Sequence, residues 1–585
     1  MKKFLSFLMM LIFTAGTMLP AALAEETAQI TVKFGDPGCA TVFTWDFPYS
    51  DEWFLQPEDR FSREMAQGSI GLAVCAYKPL KKQEGLEPQY DVYLSGAGFE
   101  NIYPFGYDTQ GGPDTFAGII ARKKLGDFTA IAVAGRGSGY SKEWGGNLEL
   151  GNGKDHEGFR TAANILESEL DHYLTENAVE GPIVLWVSGY SRSSAVGNLA
   201  AADWTASGKF ERVYAYFFAC PRVTTEPVKY QNIFNVCGDE DFVTQIPMES
   251  YGFERNGTDL FLPSAETVSD YGRMKSAASE TYRELTGLGM TNNPEFNLMN
   301  RLGISLLCSL FQTREEYTDT LQDRLISGIP ERNVSEMSEM LPGMILSTLG
   351  VSLPEDRTPY IASMTQLGTL ATAMMTLGKD ELIRDGLWDP ETDAFVNITR
   401  EHLMSTYISW IFSALSDEEI LHEATPGRIL FLEGCTSLKV WREGEIQWTL
   451  ENGTIRKETD NADGFVGKFS GTVAVMLPTD GNRQLTVGTA DGTLRGLEIM
   501  LSPDKTFCDA CVCYQSNGTQ ESLYELTLQG AEKLSAPDSG TLIRNAEMPC
   551  DAKSVIELIT MGFKRENIQN LFKDAFGENS GTGTP

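Results

Sequence analysis

The chain has few positive charges, and this shortage bears on its partners. Its 47 lysines and arginines are outnumbered by 81 aspartates and glutamates, so the formal net charge is −34. Such a chain would repel the phosphate backbone of a nucleic acid, and we expect no nucleic-acid partner. The acidic residues are spread along the sequence, which is typical of a solvated surface.

Long apolar runs are absent after the first 24 residues. No later segment offers the roughly 18 uninterrupted apolar residues of a membrane-spanning helix, so we predict no transmembrane segment. Residues 1–24 contain two lysines, a short apolar run and an Ala-Leu-Ala end, which is the pattern of a secretory signal peptide. We therefore expect a secreted, extracellular protein, either free or associated with the cell surface.

Cysteine is also scarce, with 10 among 585 residues, and this is too few for a disulfide scaffold. Cys508, Cys511 and Cys513 lie in the segment CDACVC, and together with Cys550 they suggest a zinc site as one interpretation. Cys511 and Cys513 would point to one face of a strand, however, which favours burial or disulfide pairing. We predict no metal and no cofactor.

The chain is too long for one typical domain, and its pattern changes along its length. Between residues 25 and 424, apolar runs alternate with helical patterns, which predicts an α/β fold with a parallel sheet covered on both faces. The predicted strands include FTAIAVAG, PIVLWVSG, RVYAYFFAC, YQNIFNVCG and, earlier, DVYLSG. The predicted helices include RFSREMAQGSIGLAVCAYK, FRTAANILESELDHYLTEN and residues 193–205.

Other patterns divide the rest of the chain. Helical patterns dominate from about residue 265 to 395, and we predict a helical insertion there. Residues 425–545 contain alternating segments separated by turn dipeptides such as Asn452-Gly453, which is typical of an antiparallel β-sandwich. An amphipathic helix and a polar tail are predicted for residues 546–585.

A candidate nucleophile lies in the stretch Gly189-Tyr190-Ser191-Arg192-Ser193, between an apolar strand and a helix of small residues. A serine on such a turn is exposed, and the backbone N–H groups of the helix N-terminus can stabilise an oxyanion beside it. The GxSxG pattern ends here in Ser193 instead of glycine. Ser191 is therefore a candidate nucleophile in an incomplete motif.

A serine hydrolase of this kind places its acid and then its histidine after the serine. Asp239 and Asp241 follow the predicted strand IFNVCG, at the sheet edge where α/β proteins place their sites, and the residues alone do not choose between them. Of the four histidines, His402 follows both the serine and the acid within the α/β part. His156 is the alternative base.

A glycine-rich loop, Gly135-Arg136-Gly137-Ser138-Gly139, follows the strand FTAIAVA. No helix opens directly after it, so it does not fit a dinucleotide-binding fingerprint. Its backbone N–H groups would instead lie at the sheet edge as a second wall of an oxyanion hole.

Five motifs over about 110 residues resemble those of the class 3 lipase family of α/β-hydrolases, in the order of that family. Arg136-Gly137-Ser138 with Trp144 is similar to the FRG(T/S)…W loop, HEGF to HxGF, GYSRSSAVGNLAA to GHSLGGALAxLAA, FACPRV to FGSPRV, and DFVTQIP to DxVPxLP. The segments TWDFPYSDEWF, YGFERNGTDLFLPS and HLMSTYISW resemble those of secreted bacterial lipase-like proteins, which extends the resemblance from about residue 40 to 415.

The resemblance implies a serine ester hydrolase acting on an acyl lipid or another ester. It implies Ser191 as the nucleophile, Asp241 as the acid and His402 as the general base. Ser138 and the backbone N–H of Arg192 would be the oxyanion donors, and His156 would be structural.

The chain departs from the family's pattern at Arg192-Ser193-Ser194, where Leu-Gly-Gly is usual, and at Thr244, where proline is frequent. Two other functions are alternatives, and the departure at Ser193 favours the first of them. One is a degenerate hydrolase fold that serves as a surface binding or adhesion module, in which the β-sandwich would bind a ligand. The other is an esterase for acylated carbohydrate, because a fold does not fix a substrate.

Overall fold

A computed structural model of the chain describes most of its first 290 residues and much of residues 400–548. The described residues are 27–36, 42–77, 89–107, 115–137, 146–147, 149–238, 241–247, 251–264, 267–290, 314–317, 388–389, 394–395, 400–422, 427–459, 462, 464–469, 472–479, 483–491, 494–501, 508–515, 522–527, 534–535 and 544–548. The predicted signal peptide, most of the predicted helical insertion and the predicted C-terminal helix lie outside them.

The first part of the chain alternates strands and helices. Its strands are β1 (Ala28–Phe34), β2 (Phe43–Tyr49), β3 (Glu100–Phe105), β4 (Gly118–Leu125), β5 (Phe128–Gly135), β6 (Ile183–Tyr190), β7 (Arg212–Phe218), β8 (Ile233–Gly238), β9 (Thr258–Leu262), β10 (Trp388–Asp389) and β11 (Ala394–Phe395). Its helices are α1 (Arg63–Cys75), α2 (Gln89–Gly96), α3 (Glu157–Glu176), α4 (Arg192–Ser207), α5 (Tyr271–Thr286), α6 (Arg314–Tyr317), α7 (Met404–Phe412) and α8 (Asp417–Ile420). Short 3-10 turns are formed by Asp51–Leu55, Phe242–Gln245 and Arg400–His402.

A seven-stranded sheet in the order β3-β4-β5-β6-β7-β8-β9 forms the centre of this part. β5 to β9 run parallel, as the alternating pattern predicts, whereas β3, β4 and β5 are antiparallel to one another. The central strands are apolar along their whole length because helices bury both faces of the sheet. One face lies under α3 and α4, and the other lies under the β1–β2 hairpin with α1, α2, α5 and α7.

The prediction of a strand at DVYLSG is wrong, because this segment belongs to helix α2. Gln89 and Tyr93 are buried one helical turn apart, whereas Val92 is 44% exposed. The buried residues therefore follow a helical spacing. A segment of six residues is too short for the sequence to distinguish this spacing from the alternation of a strand.

Residues 427–548 contain two antiparallel sheets, each with six strands within the described residues. One has the order β16-β17-β12-β19-β20-β23 and the other β15-β14-β13-β18-β21-β22. The strands are β12 (Gly427–Glu433), β13 (Cys435–Arg442), β14 (Glu445–Glu451), β15 (Thr454–Lys457), β16 (Phe465–Phe469), β17 (Thr472–Pro478), β18 (Arg483–Thr489), β19 (Arg495–Leu501), β20 (Cys508–Gln515), β21 (Ser522–Thr527), β22 (Leu534–Ser535) and β23 (Arg544–Met548). Buried leucines and valines from both sheets form one apolar cluster.

Two arginines connect these sheets to the start of helix α5. Arg442 Nη1 lies 3.0 Å from Asp270 Oδ1, and Arg483 Nη2 donates to Ser269 Oγ at 3.1 Å. Asp270 occupies the N-cap position of α5 with a φ of 59°, and its side chain does not cap the helix. No helix within the described ranges is long and apolar enough to cross a membrane.

Trp186 of β6 is fully buried at the centre of the fold, and its exposed fraction is 0%. Its ring contacts a set of aromatic rings from the surrounding elements, and its Nε1 donates to Ser69 Oγ at 2.8 Å. The rings belong to Tyr49, Trp53, Phe54, Tyr93 and Phe99.

We expect Trp186→Ala to lower the free energy of unfolding by about 3–5 kcal/mol, because it leaves a cavity among rings that cannot close over it. Urea unfolding followed by tryptophan fluorescence and circular dichroism would measure the change. Val228→Ala is the control, because Val228 is 47% exposed and its truncation should change stability by no more than about 0.5 kcal/mol. Equal effects of the two substitutions would contradict this account of the core.

Candidate active site

Ser191 lies on the tight turn between strand β6 and helix α4. Its φ of 58° and ψ of −128° are rare for a residue with a side chain, so surrounding contacts must hold it there. The Ser191 N–H donates to Phe218 O at 3.0 Å, and the Ser191 carbonyl accepts from Ser194 N at 2.9 Å. The hydroxyl does not cap α4, which leaves it available for another partner.

The two serines that replace the usual glycines reinforce this turn. Ser193 Oγ accepts from Tyr190 N at 2.8 Å and donates to Tyr190 O at 2.9 Å. Ser194 Oγ donates to Phe218 O at 2.6 Å and accepts from Phe218 N at 3.1 Å. The Ser193 hydroxyl therefore binds the residue before Ser191, and the Ser194 hydroxyl binds strand β7, so the departure from GxSxG adds hydrogen bonds to the turn.

Two glycines make room for the Ser193 side chain and backbone. A Cβ at Gly135 would lie 2.8 Å from Ser193 Cβ, and a Cβ at Gly189 would lie 2.6 Å from the Ser193 carbonyl carbon. Both distances are too short for real carbon atoms, so the turn requires glycine at these two positions.

Asp241 follows strand β8 and is buried beneath the turn, with an exposed fraction of 1%. Its Oδ1 accepts from Val243 N at 2.9 Å and thereby caps the turn Phe242–Gln245. Its Oδ2 accepts from two side chains that both come from the segment around helix α7, and these are His402 and Tyr407.

The loop that carries Asp241 is held by a threonine and two buried arginines. Thr244 Oγ1 donates to Asp241 O at 2.8 Å and lies 3.1 Å from Gly238 O, so threonine serves here where proline is frequent. Arg222 Nη1 donates to Gln245 O, and Arg255 Nη2 donates to Thr244 O. These bonds fix the loop backbone from two sides.

His402 ends the turn Arg400–His402, immediately before helix α7, and joins the serine to the acid. Its Nε2 lies 2.9 Å from Ser191 Oγ and its Nδ1 lies 2.8 Å from Asp241 Oδ2. Because a carboxylate oxygen can only accept, Nδ1 carries the proton and Nε2 accepts from the serine hydroxyl. The structure thus brings Ser191, His402 and Asp241 into one line of hydrogen bonds.

Two buried tyrosines that the sequence patterns did not identify support this line. Tyr407 Oη donates to Asp241 Oδ2 at 2.8 Å and accepts from Gly238 N at 2.6 Å. Tyr190 Oη donates to His402 O at 2.8 Å. Burial raises the pKa of both tyrosines well above 10, so their hydroxyls remain protonated donors. The sequence did contain one signal for Tyr407, because it lies in the first turn of the predicted helix that follows His402.

The other three histidines lie apart from this line. His156 is buried at the start of helix α3, where its ring stacks on Phe159 and its Nδ1 accepts from Phe159 N at 3.4 Å. Its Nε2 lies 3.0 Å from Asn147 O, so it is the donor of this pair. His172 is exposed on α3, and His422 Nε2 lies 2.8 Å from Glu419 O.

Of the predicted oxyanion donors, Arg192 is described and Ser138 is not. Arg192 is the first residue of α4, and its buried guanidinium donates to Asn147 Oδ1 and Thr115 O, both at 3.0 Å. The position of Ser138 lies outside the described residues, as do those of Asp239, Trp144 and Cys550.

The zinc interpretation concerned Cys508, Cys511 and Cys513. These residues lie on strand β20, but their side chains are outside the described part of the structure. Within the described residues, no group of three or more histidine, cysteine, aspartate or glutamate side chains is arranged to hold a metal ion. The chemistry that the described residues support is proton transfer between a serine hydroxyl and an imidazole.

We expect Tyr407→Phe to lower kcat by about tenfold, because Asp241 loses one of the donors that orient its Oδ2 toward His402. Steady-state kinetics with a soluble chromogenic ester would measure it. Tyr216→Phe is the matched control, because it removes an equally buried hydroxyl that accepts from Ser62 N at 3.1 Å, away from the serine. An unchanged kcat in Tyr407→Phe would exclude this role for Tyr407.

We also expect His156 to weaken the fold in acid. Burial lowers the pKa of His156 from 6.5 to about 3, so between these values the unfolded chain binds a proton that the folded chain does not. Stability is therefore complete above pH 6.5 and falls as the pH is lowered toward 3, by up to about 1.4 kcal/mol per pH unit.

Urea unfolding at several pH values would test this, with His156→Asn as the variant because asparagine can also cap a helix. The variant should show a flatter loss of stability between pH 6.5 and 4 than the unsubstituted protein. His172→Asn, which changes an exposed histidine, should keep the original slope. The expectation fails if the slopes of all three proteins coincide.

Comparison with known proteins adds the family. Residues 132–251 match the family model described as Lipase (class 3), and the matched segment includes Ser191 and Asp241. No curated protein matches the chain.

Several solved structures resemble part of the chain. A mono- and diacylglycerol lipase from Aspergillus oryzae is 21% identical, over 36% of this chain and 83% of that one, with a TM-score of 0.26. A lipase from Rhizopus microsporus var. chinensis is 16% identical, over 34% and 74%, with a TM-score of 0.24. Residues 132–251 therefore carry a class 3 lipase segment, and this match supports a carboxylic ester hydrolase with an α/β-hydrolase core.

Proposed function

We propose that the protein is a secreted serine hydrolase that cleaves acyl esters of lipids through a covalent acyl-enzyme on Ser191. The observation that carries the proposal is the pair of hydrogen bonds from Ser191 Oγ to His402 Nε2, at 2.9 Å, and from His402 Nδ1 to Asp241 Oδ2, at 2.8 Å. Serine hydrolases use this arrangement to activate a hydroxyl that is a weak nucleophile at neutral pH.

In the first half of the reaction, His402 Nε2 takes the proton of Ser191 Oγ as that oxygen attacks the ester carbonyl. The imidazolium keeps its Nδ1–H bond to the Asp241 carboxylate, which stabilises the new positive charge. The backbone N–H of Arg192 and Ser138 would donate to the oxyanion. His402 then gives its proton to the departing alcohol, and the acyl group stays on Ser191.

In the second half, a water molecule attacks the acyl carbonyl while His402 accepts one of its protons. The bond between the acyl carbon and Ser191 Oγ then breaks, His402 returns the proton to Ser191, and the fatty acid leaves. The same residues therefore serve both halves of the cycle.

The serines that replace glycine after the nucleophile are compatible with this mechanism. The hydroxyls of Ser193 and Ser194 are bonded to the backbone of Tyr190 and Phe218, so neither competes with Ser191 for His402. This observation argues against a degenerate site that only binds.

We propose the following division of the chain. Residues 1–24 are a signal peptide, residues 25–424 the hydrolase domain with a helical insertion at about 265–395, and residues 425–545 a β-sandwich accessory domain. A helix and polar tail form residues 546–585. The common apolar cluster of the two six-stranded sheets supports the sandwich, and the alternating pattern of the sequence supports its boundaries.

The proposal is tested by hydrolysis of a series of chromogenic acyl esters, from short to long chains, by the protein and by Ser191→Ala. We expect the substitution to lower kcat on the order of 10⁴-fold or more and to leave the thermal unfolding temperature unchanged. Ser207→Ala is the control, because Ser207 lies at the far end of the same helix and is exposed.

Labelling with a fluorophosphonate probe separates the alternatives. A folded protein that hydrolyses no ester and does not label at Ser191 would support a binding module. Labelling with activity on acylated sugars alone would keep the mechanism and replace the lipid substrate.

A further inference from the structure

A second carboxylate lies behind the histidine, outside the line of Ser191, His402 and Asp241. Asp36 follows strand β1 and is buried, with an exposed fraction of 1%. Its Oδ1 accepts from Ser405 N at 3.0 Å, and its Oδ2 accepts from Ser405 Oγ. It also accepts from the backbone of Met404.

These contacts place Asp36 on the first residues of helix α7, which begins two residues after His402. The first N–H groups of a helix have no partner within the helix and need an acceptor. Leu403 occupies the N-cap position and makes no side-chain bond to the helix. Asp36, 369 residues earlier than Ser405, supplies the acceptor instead, so the N-terminal hairpin fixes where α7 begins.

The charge of Asp36 also acts on His402. Burial raises the pKa of Asp36 from 3.8 to about 6, while a positive charge on His402 favours the ionised carboxylate. Tyr190, which is buried and protonated, also interacts with Asp36.

We propose that Asp36 is a positioning residue for His402, because it fixes the start of helix α7 two residues after the histidine. This inference rests on the proposed function, because it concerns how His402 is held while it takes the proton of Ser191.

The pKa of Asp36 makes the stability of the fold depend on pH. Because the folded chain binds a proton on Asp36 more tightly than the unfolded chain does, ionisation of Asp36 lowers stability as the pH rises from 3.8 to about 6. The hydrogen bonds of Asp36 to helix α7 act in the opposite direction, so the positioning role is identified by a change in kcat measured on folded protein.

The test is Asp36→Asn, which keeps the shape of the side chain and removes its charge. At pH 8 we expect a folded protein with a kcat about tenfold lower and a KM within about twofold.

Asp46→Asn is the matched control. Asp46 lies in the same hairpin, is exposed and accepts from Thr31 Oγ1, so this change removes one carboxylate without touching α7. It should leave kcat, KM and the pH profile unchanged.

The rate of fluorophosphonate labelling at Ser191 separates the two proposals. If the unsubstituted protein labels and Asp36→Asn labels at the same rate, the role of Asp36 is excluded and the proposed function stands. If Asp36→Asn loses activity in proportion to a fall in its unfolding temperature, Asp36 is a structural cap. If the unsubstituted protein itself neither labels nor hydrolyses esters, both proposals are overturned.

Discussion

The hydrogen bond between His402 Nε2 and Ser191 Oγ is the interaction on which the rest of the site depends, because its partners are 211 residues apart in the chain. Ser191 is fixed by the strand and helix that flank it, so its position follows from the central sheet. His402 lies on the short turn Arg400–His402, outside the central sheet. Its place is set by contacts at both ends of the turn and by the helix that follows.

Most of those contacts are hydrogen bonds between buried polar groups, which are favourable only when every member has a partner. The Asp241 carboxylate satisfies this condition with Val243 N, His402 Nδ1 and Tyr407 Oη. Tyr407 in turn accepts from Gly238 N, so the acid, the strand that carries it and the helix after the histidine form one network. Displacing any member would leave another buried group without a partner.

The sequence predicted the parts of the molecule whose signal is local. Apolar runs predicted β5 to β8, and small-residue and amphipathic patterns predicted α3 and α4, because burial on both faces or on one face leaves a periodic mark. The order of motifs also identified three residues that the structure brings together, although their catalytic roles are proposals. The segment DVYLSG was misassigned because a short run carries too little periodicity.

Other features could not be predicted from the sequence, because they are contacts between distant segments. Tyr190 reaches His402 O from strand β6, and Asp36 reaches Ser405 of helix α7 from the N-terminal hairpin. Neither residue lies in a pattern that indicates such a contact. The hydroxyl of Ser193 looked like a defect in the elbow motif because its two backbone partners become visible only when the turn is formed.

The close approach of Gly135 and Ser193 has a consequence for engineering. Cβ atoms at these two positions would overlap, so the side chain at one position limits the side chain at the other although they lie on different elements. A library that varies only the turn around Ser191 would place new side chains at position 193 against an unchanged Gly135 backbone. Most larger residues would not fit there. A Cβ at position 135 would also lie 2.4 Å from Phe116 Cζ, so a side chain at position 135 requires changes at positions 193 and 116 together.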